Sequence, residues 1–415
     1  MNIPQKRRPR QKREATGARN NGEREGNLRK KRSNKASAPL LHTLQKYPWR
    51  QHSDIQMIAP SSLHIIDATT DERRVQEAAT VCQTLRQRGC AIVRVVDDPA
   101  TLRRQADEFA SLRHDLSPAH ATPSGARSMG GITKYYGAGV DPRVMQIRLQ
   151  PAIRHIFALI HQVEPDQLAV SVDAVALLGV DAQRPRRRAS HAESARKAYL
   201  RETGGALEAH VDISPRGRSA GVVIEEQLAA SGGFGYSVQG QYVVEPVCEG
   251  GAAFVYAEGD HTGPRAVGDF VTGSRDDFTP LSEAGYERYS STWKSVEQIP
   301  GGVLILWLSR TPHGNKLASF GAATPKRGGV FVCWMPRALS GTREQQNALR
   351  KRKLDAALEG RTGDHWPNML ARKYGGAHYS NQNGKTNVLY GMTKGQQMGA
   401  PPWSENMRAD VFEAL

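Results

Sequence analysis

Leu207-Glu208-Ala209-His210-Val211-Asp212-Ile213 is the stretch on which the reading of this chain turns. Side chains on a β-strand alternate between its two faces. Leu207, Ala209, Val211 and Ile213 therefore share one face, and Glu208, His210 and Asp212 the other. The apolar face can pack on a second sheet. On the polar face an imidazole and a carboxylate stand one pleat apart, so both can reach one cation without bending the backbone. H-x-D alone occurs by chance in many proteins, so its neighbours must decide.

The next informative stretch is Val303–Leu308 (VLILWL), apolar on both faces and hence expected as a central, doubly covered strand. It runs into Ser309-Arg310-Thr311-Pro312-His313-Gly314, which places His313 near a buried strand's end, where a barrel mouth would be. A His and an Asp two residues apart, joined by a distant second His, make the 2-His-1-carboxylate face that holds non-haem Fe(II) with positions left open. His210, Asp212 and His313 are thus the candidate metal ligands. Arg327 stands at the entry to the apolar run 328–335, where a guanidinium can clamp a carboxylate bidentately. His261, in EGDHTG, also follows a strand but brings no carboxylate; it reads as a turn residue.

Outward from these motifs, apolar spacing predicts a helix from Asp71 through Val75, Ala78, Val81 and Leu85, stopped by Gly89. Further helices are expected over 101–113, 151–163 and 341–361. Strands are expected over 90–96, 168–178, 206–213, 235–244, 252–257, 303–308 and 328–335, with glycine pairs between many of them. Many strands with glycine punctuation argue for an α+β protein built on a β-sandwich or jelly-roll barrel. Residues 181–203 (DAQRPRRRASHAESARKAYLRET) read as a charged, mobile loop. The implied organisation is a disordered basic tail at 1–38, a lead-in at 39–70, a catalytic-type domain at 71–370 and a poorly patterned extension at 371–415.

Composition excludes several classes. The chain has 415 residues, 39% of them hydrophobic, enough for a sizeable core. Residues 1–38 carry 13 Lys/Arg and three Glu, so +10 of the net +16 sits on a segment too polar to fold alone. Such an arm suits nuclear import or a polyanion such as nucleic acid, although it lacks the interleaved aromatics of a base-stacking surface. Arg184–Arg188 would suit an anionic substrate, or serve as a solvated charge cluster. Four scattered cysteines form no C-x-x-C pair, and Met1 to Arg13 has no apolar h-region. No apolar run is long enough to span a membrane. An intracellular protein, cytoplasmic or nuclear, is expected. Asn383-Gly384-Lys385-Thr386 resembles a P-loop, but Tyr379 stands where its first glycine belongs. No H-E-x-x-H or G-x-S-x-G motif is present.

Several ordered segments carry a family resemblance: QIRLQPAIRHIFALIH, LAVSVDAVALLG, AHVDISP, YSVQGQYVVEP, GGAAFVYAEGDHTG, IPGGVLILWLSRTPHGN, RGGVFVCWMPR and GRTGDHWP. Together, over roughly residues 75–370, the chain resembles the phytanoyl-CoA dioxygenase-like branch of the Fe(II)/2-oxoglutarate oxygenases. The resemblance implies a double-stranded β-helix (jelly-roll, cupin-like) core with flanking helices. It implies Fe(II) on His210, Asp212 and His313, with 2-oxoglutarate and O2 as co-substrates. Arg327 would hold the 2-oxoglutarate carboxylate, Gln239 would line the pocket near iron or co-substrate, and Asn315 would touch 2-oxoglutarate. His365-Trp366-Pro367 would anchor the C-terminal segment. The implied activity is a hydroxylase; Asp212 occupies the position that a halogenase leaves free for halide. The chain departs from the pattern at EGDH, where many relatives have G-S-H, and in its long basic 181–203 segment. The competing reading is an inactive β-helix protein that binds nucleic acid or a partner through residues 1–38.

Overall fold

The computed structural model describes residues 58–120, 132–133, 137–178, 194–205, 207–213, 220–263, 268–272, 278–319, 322, 327–360, 365–368 and 403–415. The chain divides into two compact units, Met1–Ser53 and Asp54–Leu415, and the first lies outside the described residues. So do the basic tail, Arg184–Arg188 and the Asn383–Thr386 motif.

Two sheets form an α+β core in the second unit. One runs in the order Ala59–Pro60, Trp293–Val296, Ala253–Ala257, His313–Lys316, Leu207–Val211, Thr279–Pro280. The other runs Ile65–Asp67, Cys90–Arg94, Val303–Leu308, Val238–Val243, Arg327–Val332, Val175–Leu178, Ile132–Thr133. Among the described strands pairing is antiparallel, except where Ala59–Pro60 and Ile65–Asp67 join in parallel. The sheets share an interior of Phe254, Tyr256 and Val296 from the first and Ile92, Ile305, Trp307 and Phe331 from the second.

Val303–Leu308 is the doubly covered strand its composition predicts. Val303, Ile305 and Trp307 enter the space between the sheets, while Leu304, Leu306 and Leu308 face the helices. Those helices are Asp71–Arg88, which brings Val81 and Leu85, and Pro151–His161, which brings Ile153, Ile156, Phe157 and Ile160. The ends of the first are set locally. The Thr70 side chain accepts from the Arg73 N–H, Asp71 and Glu72 meet the positive end of the helix, and Gly89 closes it in the left-handed conformation.

Gly302 shows how tightly the central strands are joined. Its carbonyl accepts from Val95 and Val96 (3.0 and 3.1 Å), and its N–H donates to Val243 (2.9 Å). Its φ is 82°, and a Cβ there would overlap the Val96 carbonyl oxygen. Gly302→Ala is expected to destabilise the protein by roughly 2–4 kcal/mol, combining left-handed strain with the overlap. A urea denaturation midpoint unchanged from wild type would refute this.

Several expectations need correction. The run 168–178 is two strands, Leu168–Val170 and Val175–Leu178, in different sheets; 328–335 likewise divides into Arg327–Val332 and Trp334–Pro336. Both breaks occur together: the Ser171 N–H donates to the Cys333 carbonyl (2.8 Å) and the Cys333 N–H to the Ser171 hydroxyl (3.0 Å). Buried Arg148 then takes the Asp173 carbonyl (2.9 Å), which a continuous ladder would need. The 181–203 segment is not all loop, for Ala195–Thr203 is a helix capped by Ser194 and Gly204. The lead-in supplies an edge strand to each sheet. The chain end, unpatterned in sequence, contains the helix Glu405–Ala414, whose Val411 and Ala414 join the helical-side core.

Candidate metal centre

The alternation on Leu207–Val211 holds, but its two faces look the other way from the expectation. Ala209 and Val211 pack outward, with Val255 and Ala257, against Tyr199, Tyr286 and Trp293. Short helices, not the second sheet, cover the apolar face. The polar face points inward at the second sheet, and there the candidate ligands meet. His313 is itself a strand residue. It opens the strand His313–Lys316 and pairs in register with His210. The chain crosses from one sheet to the other between Leu308 and His313, so the two imidazoles lie side by side, ring centres 4.3 Å apart.

His210, Asp212 and His313 are all buried, and each offers a ligand atom within 4.8 Å of the others'. His313 Nε2 lies 3.1 Å from Asp212 Oδ2, and His210 Nε2 lies 3.6 Å from Oδ1. Each Nδ1 is engaged by a carbonyl two residues back: Glu208 for His210 (2.9 Å) and Thr311 for His313 (3.0 Å). Such a bond puts the proton on Nδ1 and leaves the Nε2 lone pair free. Two lone pairs and a carboxylate then face one point, an arrangement that repels itself unless a cation sits among them. The donor set therefore fits a divalent metal, with nitrogen and oxygen ligands on one side and the other side open.

The electrostatics agree. Burial, followed by repulsion from His313, lowers the His210 pKa to about 3, so its imidazole is neutral at ordinary pH and ready to ligate. Burial alone would raise Asp212; the nearby His313, His365 and His210 outweigh it and hold the carboxyl well below its usual range.

Gln239 sits on the facing strand. Its Nε2 donates to Asp212 Oδ2 (2.9 Å) and to the Ser309 hydroxyl (3.0 Å), while the Asp212 N–H donates to the Ser309 carbonyl (2.9 Å). It is less a pocket wall than the residue that fixes the carboxylate. The Ser309–His313 motif becomes legible through these contacts. Ser309 braces Asp212, Arg310 pairs with Glu225, the Thr311 hydroxyl ties to Gly89 (2.8 Å), and the Thr311 carbonyl orients His313. Gln239→Leu is expected to weaken Co(II) or Fe(II) affinity by about tenfold or more, the usual effect of losing an outer hydrogen bond to a metal ligand. An unchanged affinity in a chelator competition would remove that role.

One pleat further on, a second rung repeats the arrangement. Asn315 follows His313 on its strand, Gln241 follows Gln239 on its own, and both hold Arg327. Nη1 donates to Asn315 Oδ1 (2.6 Å) and Nη2 to Gln241 Oε1. Arg327 is 2% exposed and pairs with no carboxylate among the described residues. Burial lowers its pKa to about 9.

Comparison with known proteins adds fold neighbours at low identity. No protein-family model matches the chain, and no curated protein does. Among solved structures it is similar to GlcNAc Inducible Gene 2 from Candida albicans, at 13% identity over 85% of this chain and 84% of that one, with TM-score 0.48. A hypothetical protein from Escherichia coli is similar at 13% identity over 86% of each chain, TM-score 0.47. The epimerase SnoN, solved in complex with Fe3+, alpha-ketoglutarate and nogalamycin RO, is similar at 14% identity over 63% of this chain and 85% of that one, TM-score 0.38.

The remaining candidates separate cleanly. His261 is buried away from the triad, with Nε2 on the Ala257 carbonyl (2.8 Å) and its ring against Tyr289, which fits the turn reading. Phe278, 37% exposed, stacks on His210 with ring centres 4.1 Å apart and marks where the site nears the surface. Sequence reasoning passed over Phe278 and Gln241. Only the i, i+2 repeat from Gln239 to Gln241 could have signalled one of them.

Proposed function

We propose that this protein is an Fe(II)- and 2-oxoglutarate-dependent oxygenase of the hydroxylase type, with a double-stranded β-helix core. The observation that carries the reading is the pair of rungs: a buried three-ligand face and, one pleat away, a buried guanidinium that pairs with no carboxylate among the described residues. The on-strand step from His313 to Asn315 is about 7 Å, of the order of a five-carbon dicarboxylate. A ligand with one end on the metal and a carboxylate at the other would satisfy both rungs together. The ordered motifs from AHVDISP to GRTGDHWP support the phytanoyl-CoA dioxygenase-like branch.

When bound, the iron and 2-oxoglutarate supply the oxidising chemistry, in which decarboxylation to succinate is coupled to oxidation of a substrate C–H bond by O2. The chain's own residues supply the arrangement. His210, Asp212 and His313 would hold the metal. Gln239 and Ser309 fix the carboxylate so that it does not rotate away. Arg327, aimed by Asn315 and Gln241, would receive the far carboxylate and set the direction of the co-substrate. Phe254, Trp307 and Phe331 crowd the interior around His313 and exclude water.

The test is an anaerobic titration of the full chain with Fe(II) and then 2-oxoglutarate. A metal-to-ligand charge-transfer band is expected, followed by succinate release in a substrate screen. Intact protein that gives no band overturns the reading. No helix among the described residues is long and apolar enough to cross a membrane. The basic segment 1–38 is proposed as a polyanion-binding or nuclear-import arm. Its deletion would spare turnover and remove salt-sensitive binding to nucleic acid.

A further inference from the structure

Glu225 sits on the helix Ala220–Ala230 and is 4% exposed. The apolar side of that helix is fixed, for Ile224 and Leu228 pack with Cys333, Met335 and Trp366. Trp366 is itself held through its carbonyl by Lys353 Nζ (3.2 Å). Each carboxylate oxygen of Glu225 has its own partner. Oε1 accepts from the Ser237 N–H (3.3 Å) and hydroxyl (3.1 Å), and Oε2 accepts from Arg310 Nε.

Ser237 and Arg310 flank the joint where the chain leaves the second sheet for the first. The pairing of Val238–Val243 with Val303–Leu308 ends with Leu308 opposite Val238. The Ser309 N–H then adds one more bond, to the Ser237 carbonyl (3.0 Å). The contacts that fix Asp212 start from this joint. Gln239, two residues after Ser237, donates to Asp212 Oδ2. Ser309, the residue before Arg310, takes Gln239 Nε2 on its hydroxyl and the Asp212 N–H on its carbonyl. Glu225 thus ties together the two segments that carry these bonds, one on each oxygen.

Stability is a poor reason for such a group. Desolvation of two buried charges offsets most of their attraction, and apolar side chains of similar size hold a helix as well. Burial indeed raises the Glu225 pKa, against the opposing pull of Arg310. What the carboxylate adds is direction, because hydrogen bonds fix angles and apolar packing does not.

Resting on the reading of His210, Asp212 and His313 as a metal centre, we propose that Glu225 is a positioning residue of that centre: bonded to Ser237 and Arg310, it keeps Gln239 and Ser309 where they set the Asp212 carboxylate.

The test uses the full chain and Co(II), whose affinity is read by chelator competition and whose visible spectrum reports ligand geometry. Glu225→Leu alone would strand the Arg310 charge, so Glu225→Leu and Arg310→Met are made together. Removing both charges is expected to lower the melting temperature by no more than about 3 °C. Co(II) affinity is expected to fall by about fivefold, less than for Gln239→Leu because one more contact intervenes, and the spectrum is expected to change. Adding Gln239→Leu to this protein should then cost less than it costs wild type, since both changes reach Asp212 by one route. The proposal is overturned if the affinity stays within about twofold of wild type or the spectrum is unaltered. It is also overturned if the melting temperature falls beyond that range together with the affinity, which would make the pair structural, or if the two losses multiply in full. Wild-type protein that binds no Co(II) removes the metal centre, and with it the oxygenase reading and this proposal. Wild type that binds Co(II) but gives no charge-transfer band with Fe(II) and 2-oxoglutarate removes the oxygenase reading alone.

Discussion

Arg327→Met is expected to weaken 2-oxoglutarate binding by about a hundredfold, roughly 2.7 kcal/mol, with metal affinity retained. A charge-assisted hydrogen bond contributes about 1.5–3 kcal/mol, and a guanidinium fork can offer a carboxylate two of them. The effect on stability should be small, because two opposing changes nearly cancel. Removing a buried charge that has no counter-ion among the described residues is favourable: burial already lowers the Arg327 pKa to about 9. Against that, Asn315 Oδ1 and Gln241 Oε1 lose their donor. A net change within about 2 kcal/mol in the absence of co-substrate is expected. Arg327→Lys should not restore binding, since a single ammonium cannot keep both amide oxygens and also present a fork to the ligand. Anaerobic titration with 2-oxoglutarate reads wild type and both variants. Wild-type affinity in Arg327→Met would make the arginine a structural strut and detach the second rung from function.

How much of this was legible in the sequence follows from which forces act locally. Strand alternation is local, so the shared face of His210 and Asp212 could be read directly. So could the doubly apolar Val303–Leu308, because no arrangement that exposes either face is favourable. What lay beyond reach was set by contacts between distant segments. Nothing near Ala209 and Val211 says that Tyr199, Tyr286 and Trp293 cover them instead of the second sheet. The breaks at Ser171 and Cys333 depend on each other across 162 positions. The strand that His313 opens was not legible because Pro312-His313-Gly314 has turn composition, and it forms by pairing with Leu207–Val211 and Ala253–Ala257.

Asp212→Ala is the more severe test, because it removes the one negative charge among three ligands. Two imidazoles would remain, held by their Nδ1 bonds to Glu208 and Thr311. They keep their positions but lose the partner that offsets a divalent cation in a buried setting. Metal affinity should fall by about two orders of magnitude or more, exceeding the outer-contact loss expected for Gln239→Leu. Succinate formation dependent on 2-oxoglutarate should vanish. The protein should still fold, since the buried carboxylate is a charged group whose replacement by a methyl removes a desolvation penalty. Gln239 and Ser309 keep each other as partners at 3.0 Å. The vacated space suggests a decisive control: formate at millimolar concentration can enter it and supply the missing oxygen ligand. Partial recovery of metal binding with formate, and none with a neutral amide of similar size, would separate loss of a ligand from general damage. Succinate release at the wild-type rate in Asp212→Ala would mean that the metal is held elsewhere, and neither the strand alternation nor the facing lone pairs of His210 and His313 could then be taken as the origin of the activity.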